Sequence, residues 1–133
     1  MKTAMIIAFA ALAASCASEP PAMQDQQPQS RRADLQRYDL GIAGREVVQV
    51  RVEFDPGYTS PKHRHAGEEV IYVIEGAIEY GIEGQPPKVY RAGEVLTIPY
   101  GAIHWARNVG KDNGAELATY VVEKGKPLLE ITE

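Results

Sequence analysis

The stretch "GYTSPKHRHAGEEVIYVIEG", residues 57–76, contains two of the three histidines of the chain, one residue apart, with a carboxylate shortly after them. In an extended strand, side chains two residues apart point to the same face, so His63 and His65 share a face. Glu69 has the same parity as His65 if strand pairing resumes after Gly67, whereas Glu68 points the other way. This pattern predicts two imidazoles and one carboxylate on one side of a strand.

The third histidine lies in "IPYGAIHWARN", residues 98–108, where His104 opens a later strand and shares its face with Ala106 and Asn108. If two sheets pack face to face, all three imidazoles and one carboxylate can converge between them. Such nitrogen and oxygen donors suit Mn, Fe, Co, Ni, Cu or Zn. Two alternative interpretations are that the histidines are ordinary surface or core residues, and that Glu68 takes the place of Glu69.

The remainder of the chain is typical of short strands separated by turns rich in Gly, Pro and Asp. "VVQVRVEF" (47–54) alternates apolar and polar residues, and "AIEYGIEG" (77–84) does so with Ile78, Tyr80 and Ile82 on one side. "VIYVIEG" (70–76) is almost continuously apolar, which predicts a strand covered on both faces. Since no amphipathic helix or internal repeat is evident, the sequence predicts an antiparallel sandwich or barrel.

Both histidine-bearing stretches closely resemble the two motifs of the cupin family. The first motif, a glycine, His-x-His, a glutamate and a second glycine at fixed spacing, is met by Gly57, His63, His65, Glu69 and Gly76. The second motif is met by Gly93, Pro99, Gly101, His104 and Asn108. The resemblance is to compact, single-domain bacterial members, and it implies an all-β double-stranded β-helix, or jelly roll. It also implies one divalent metal held by His63, His65, Glu69 and His104.

Families that resemble this chain include dioxygenases, isomerases, decarboxylases, lyases and proteins that only bind ligands, and the fold does not choose among them. By parity, the predicted pocket wall or core is largely apolar: Val52, Phe54, Ile71, Val73 and Tyr80. The nearby charged residues Arg51, Glu68 and Arg107 point away, so no acid–base pair is evident. This favours a small, weakly polar, aromatic or enol-like ligand and a quercetinase-like dioxygenase. The alternative is a non-catalytic, metal-dependent binding or sensing module of the cell envelope.

The first residues, "MKTAMIIAFAALAASC" (1–16), are typical of a signal peptide, with a basic start and an apolar run too short to span a membrane. Cleavage near Ala11–Ala13 would release a free protein. Alternatively, the segment ending at Cys16 resembles the lipobox of bacterial lipoproteins, although Ala13 stands where leucine is usual. Residues 17–33 are predicted to be a flexible tether rich in Pro and Gln, and residues 34–133 a single domain.

Composition limits the partners of the protein. A chain of 133 residues with net charge −4 suits one domain, and scattered lysines and arginines offer no stripe for nucleic acid. The leader predicts an exported protein that is either periplasmic or anchored to the envelope, in the second case as an outer-membrane lipoprotein with its lipid on Cys16. Outside the cytoplasm Fe(II) oxidises readily, which favours Mn, Ni, Cu or Zn over Fe. A small-molecule ligand and a homodimer are predicted, with residues 35–44 or 118–132 supplying a sheet edge.

Overall fold

The structure is a computed structural model that describes residues 26–133, and in this range it contains ten β-strands and no helix. The strands are β1 (Ser30–Asp39), β2 (Arg45–Phe54), β3 (His63–Arg64), β4 (Gly67–Glu75), β5 (Ala77–Ile82), β6 (Lys88–Arg91), β7 (Val95–Ile98), β8 (His104–Asn108), β9 (Gly114–Glu123) and β10 (Glu130–Ile131). Within this range no helix is long and apolar enough to span a membrane. The predicted signal peptide, Cys16 and the tether up to residue 25 lie outside the described residues.

The strands form two five-stranded antiparallel sheets, with orders β1-β2-β9-β4-β7 and β10-β3-β8-β5-β6. Apolar side chains from both sheets meet in one core, in which Val50, Val73 and Ile78 are completely buried. Burying these chains between the sheets supplies the main favourable free energy, because the hydrophobic effect scales with the apolar area removed from water. The prediction of an all-β jelly roll is confirmed.

The period-two patterns hold for most strands, with one exception. In β2 every second side chain is buried, including Val50 and Val52, and Ile78 and Tyr80 face the core from β5. The prediction that the run 70–76 is covered on both faces is wrong, since Val70 and Tyr72 are 44% and 47% exposed. The reason is that no third layer packs on the outer face of this sheet within residues 26–133.

Strand β1 begins at Ser30, inside the segment that the sequence analysis assigned to the tether. Ser30 pairs with Phe54 of β2, and the Arg31 guanidinium lies 2.6 Å from the Asp55 carboxylate. β1 is an exposed edge strand, and its polar composition is therefore the same as that of a flexible tether. Its backbone pairing with β2 shows that it belongs to the folded domain. The domain therefore starts before Asp34, and the remaining division of the N-terminal region stays a prediction.

Two of the motif residues fix the path of the chain around the histidines. Gly101 adopts a φ of 68°, a conformation that residues with a Cβ resist, and its N–H donates to the His65 carbonyl oxygen at 3.1 Å. The buried Asn108 amide donates to the carbonyl oxygens of Phe54 and Asp112, each at 2.9 Å. The Gly101 bond joins the two histidine-bearing stretches just before β8, and the Asn108 bonds hold the end of β8 against β2 and the loop that follows β8.

Candidate metal centre

Strand pairing brings the three histidines together. His63 of β3 lies opposite His104 of β8, and their ring centroids are 4.2 Å apart. The ring of His65, which lies in the two-residue connection between β3 and β4, is 5.1 Å from each of the other two. One nitrogen from each ring falls within 4.8 Å of the other two, a spacing that a single ion can bridge. The predicted convergence of the three imidazoles is therefore present.

Glu69 enters the same cluster from β4. Its Oε2 atom lies 3.3 Å from His65 Nε2 and 3.1 Å from His104 Nε2, and its side chain is buried. Glu68 is exposed on the opposite face of the strand, as its parity predicts. The geometry thus favours Glu69 over Glu68 as the carboxylate of this site.

Each histidine is oriented by a backbone carbonyl group. The Nδ1 atoms of His63, His65 and His104 lie 2.8, 2.5 and 3.0 Å from the carbonyl oxygens of Pro61, Leu128 and Ala102. A carbonyl oxygen only accepts, so each Nδ1 must carry the hydrogen and donate it. Nε2 is then the atom of each ring that would offer a lone pair to a metal ion, the arrangement found in metal-binding histidines. Without an ion, His104 Nε2 lies within hydrogen-bond distance of Glu69 Oε2, where a proton on the nitrogen would be donated to the carboxylate.

The donor set fits a cation. His65 Nε2 is buried without a hydrogen-bond partner among the described residues, because its 3.3 Å approach to Glu69 lacks hydrogen-bond geometry. Imidazole lone pairs and a carboxylate oxygen that face each other repel, unless a proton or a metal ion lies between them. Three nitrogens and one oxygen suit a divalent transition metal, whereas Mg²⁺ and Ca²⁺ prefer all-oxygen sites.

The protonation of two of these groups also suits metal binding. Burial raises the pKa of the Glu69 carboxyl, but its contacts with His104 and His65 outweigh burial and lower the pKa to about 2. Burial lowers the pKa of His63 to about 4, against the opposing bond to Pro61. At neutral pH the carboxylate is therefore ionised and the His63 ring neutral, as metal ligands must be.

A cleft of about 120 Å³ opens beside the cluster, which is room for a small organic ligand. Its wall includes His63, Glu69 and His104, together with four of the residues predicted by parity, namely Val52, Phe54, Ile71 and Tyr80. Val73, the fifth predicted wall residue, is buried in the core and does not line the cleft.

The sequence analysis missed polar residues on this wall. Glu116 and Tyr120 of β9 line the cleft, and Arg32 of β1 joins them. Arg51, Glu68 and Arg107 do point away, as predicted, but the interpretation that no acid–base pair is evident did not consider Glu116, whose carboxyl group borders the cleft. The signal was available: in "GAELATYVVE" (114–123), Glu116 has the parity of the buried Ala118, Tyr120 and Val122.

Comparisons with known proteins point to one family. A family model described as a cupin domain matches residues 50–127. The chain is 32% identical over 85 residues to "Germin-like protein subfamily 2 member 2" of Arabidopsis thaliana, covering 60% of this chain and 39% of that protein. It is 38% identical over 88 residues to "Germin-like protein 3-5" of Oryza sativa subsp. japonica, with coverages of 60% and 39%. The match thus spans about two fifths of each relative.

Solved structures show the same architecture. An oxalate oxidase in complex with the substrate analogue glycolate superposes with a TM-score of 0.63 at 28% identity, covering 77% of this chain and 55% of that one. A cupin-like protein from Thermotoga maritima superposes with a TM-score of 0.62 at 22% identity, with coverages of 77% and 75%. At 22% identity the second match speaks for the fold alone.

Proposed function

This chain belongs to the cupin family, and we propose that it binds one divalent transition metal through His63, His65, Glu69 and His104 to act on a small organic ligand. The observation that carries the proposal is the set of three imidazoles, in which one nitrogen of each ring lies within 4.8 Å of the other two and the Nε2 atoms of His65 and His104 lie beside Glu69 Oε2. Mn, Ni, Cu, Zn and Fe all accept such donors.

We further propose that the site carries out an oxidation that consumes dioxygen. A bound divalent metal supplies a Lewis acid and, if it is redox-active, a path for electrons. The four protein donors leave one or two positions free for ligands in a five- or six-coordinate site. The apolar side chains of the cleft wall, which include Val52, Phe54 and Ile71, would exclude water from the reacting groups. The similarity to an oxalate oxidase structure supports an oxygen-dependent reaction on a small oxygen-bearing molecule.

The proposed ligand class follows from the wall of the cleft. Its apolar part suits the phenolic or enol-like substrate of a quercetinase-like dioxygenase, whereas Arg32 and Glu116 offer polar contacts to a small acid. Glycolate, which the oxalate oxidase structure holds as a substrate analogue, is therefore a suitable probe beside phenols and diketones. These two ligand groups are separable by direct assay.

The function is tested on the full chain purified without added metal and then loaded with each candidate ion. We expect about one bound metal per chain by elemental analysis, and oxygen uptake with at least one member of a panel of small acids, phenols and diketones. Chelation of the metal should abolish the uptake. A chain that retains no transition metal contradicts the proposal. Tight ligand binding without oxygen uptake would favour the non-catalytic binding module.

Two further properties remain proposals drawn from the sequence. We propose export to the periplasm or envelope, with Cys16 as a lipid attachment site, which mass spectrometry of the processed protein would reveal. We also propose a homodimer formed along β1, because this strand lies at a sheet edge and exposes Leu35 and Tyr38 at 54% and 66%. Sedimentation of the purified chain as a monomer at micromolar concentration would contradict the dimer.

A further inference from the structure

Glu116 is a buried carboxyl group beside the metal centre that the proposed metal ligation does not use. It lies on β9, the central strand of its sheet, between Val52 of β2 and Val73 of β4. Only 4% of its surface is exposed, yet it borders the same cleft as His63, Glu69 and His104. An acidic residue in this position is costly unless its charge is removed or stabilised, so its presence requires an explanation.

The hydrogen bonding of Glu116 leaves one oxygen available. The Tyr80 hydroxyl, which reaches across from β5 in the other sheet, donates to Oε2. Within residues 26–133 no other hydrogen bond reaches this carboxyl group, so Oε1 is left without a protein partner. A protonated carboxyl group carries an O–H donor that needs an acceptor, and a ligand in the cleft can provide one.

The surroundings favour the protonated form at neutral pH. Burial and the charge of Glu69 raise the pKa of Glu116 to about 8, against the hydrogen bond from Tyr80 and the charge of Arg32. The titratable or charged groups that face Glu116 are Glu69 on β4, Tyr80 on β5, Tyr120 on its own strand and Arg32 on β1. Among the described residues Arg32 forms no ion pair, which leaves its charge available at the cleft.

We propose that Glu116 is a catalytic residue that hydrogen-bonds through Oε1 to an anionic oxygen of a small carboxylic or enolic acid in the cleft. In turnover its proton moves from Oε1 to that ligand oxygen. The carboxylate left behind is stabilised by the Tyr80 hydroxyl and by the charge of Arg32. This assignment rests on the proposed function and narrows the ligand to an oxyacid with one oxygen within reach of Glu116.

A purely structural role is the competing explanation, because the bond between Tyr80 and Glu116 also joins the two sheets. The two roles differ in how ligand binding depends on pH. If Glu116 donates to an anion, the ionised form repels that anion, and binding at high pH must be accompanied by proton uptake. A structural hydrogen bond creates no such linkage.

The test uses the full chain loaded with Zn²⁺, which is redox-inert, and isothermal titration calorimetry with glycolate between pH 6 and pH 9.5. Wild-type affinity is expected to fall roughly tenfold per pH unit above the pKa of Glu116, with proton uptake detected by comparing buffers of different ionisation enthalpy. Glu116→Gln keeps a neutral donor and should show a flatter profile without that uptake. Neutral glycolamide should lack the effect in both proteins.

Glu46→Gln is the matched control, since Glu46 is a second buried glutamate, paired with Arg37 at 2.6 Å and away from the cleft. It should retain the wild-type profile. Tyr80→Phe keeps the Glu116 carboxyl group but removes a hydrogen bond that lowers the pKa of Glu116. The variant should therefore move the midpoint of the pH dependence of glycolate binding to higher pH. If Glu116→Gln does not fold, the shift of this midpoint in Tyr80→Phe tests the assignment of Glu116 instead.

The outcomes separate the two proposals. A wild-type chain that does not retain metal refutes the proposed function. A metal-loaded wild-type chain that fails to bind glycolate overturns the assignment of Glu116. The assignment is likewise overturned if Glu116→Gln keeps the wild-type pH profile and proton uptake, or, where only Tyr80→Phe folds, if its midpoint does not move.

Discussion

Replacing His104 with alanine is expected to weaken the binding of a divalent metal by more than about 100-fold. His104 is one of the four proposed donors, and even outer groups that merely orient a ligand cost about 10–100-fold in metal affinity when they are lost. The alanine variant removes the Nε2 atom that lies 3.1 Å from Glu69 Oε2, so the two remaining imidazoles and the carboxylate would bind a cation with one donor fewer. Competition with a chelating dye at pH 7 measures the affinity.

Arg107→Ala is the matched control for this experiment. Arg107 lies on the same strand as His104 but on the outer face, where its guanidinium pairs with Glu79 at 2.5 Å. Its removal should leave metal affinity unchanged. His104→Gln, which preserves more side-chain volume, covers the case in which the alanine variant unfolds. Wild-type metal affinity in a folded His104 variant would show that the donor set has been assigned wrongly.

Replacing Glu116 with glutamine is expected to change how the stability of the fold depends on pH. The pKa of Glu116 rises from 4.5 to about 8 on folding, so the native state binds this proton more tightly than the unfolded chain does. The contribution of Glu116 to the free energy of unfolding is therefore present at low pH and lost as pH rises from about 5 to 8. By linkage the difference between variant and wild type should grow by on the order of 4 kcal/mol over this range.

Urea denaturation of the metal-free proteins at pH 5, 7 and 9 measures this effect. Glu116→Gln should resemble the wild type at pH 5 and become the more stable protein at pH 9. Comparison at the same pH cancels the contributions of the histidines, which both proteins share. Glu46→Gln again provides the control, and it should not reproduce the trend. A constant difference between Glu116→Gln and wild type across the range would mean that Glu116 is ionised in the native state.

The clustering of the three histidines was largely predictable because it depends on short-range rules. His63 and His65 share a face through the two-residue period of a strand, and the spacing of His104 from Gly101 matches a second motif that resembles the same family. The structure brings these rings and Glu69 together. Which ion the proposed site prefers depends on small differences in affinity among metals for the same donors, and sequence spacing does not encode these differences.

The features that the sequence did not reveal depend on contacts between distant strands. Glu116 was overlooked because a glutamate in an alternating strand is normally assigned to the solvent side, and only its pairing with Val52 and Val73 places it inside. The exposure of Val70 and Tyr72 depends on the absence of a covering layer, which the composition of β4 does not show. The start of β1 at Ser30 depends on its backbone pairing with β2.

The hydrogen bond that His65 donates to the Leu128 carbonyl oxygen has a consequence for how the protein would take up the proposed ion. It joins residues 63 positions apart, so it forms only after the chain has closed a long loop. In a zinc finger the cation nucleates the fold, because its ligands are close along a short chain. In this protein the three histidines and Glu69 come together only when the barrel closes. A refolding chain should therefore bind the ion after barrel closure, at a rate that barrel closure sets.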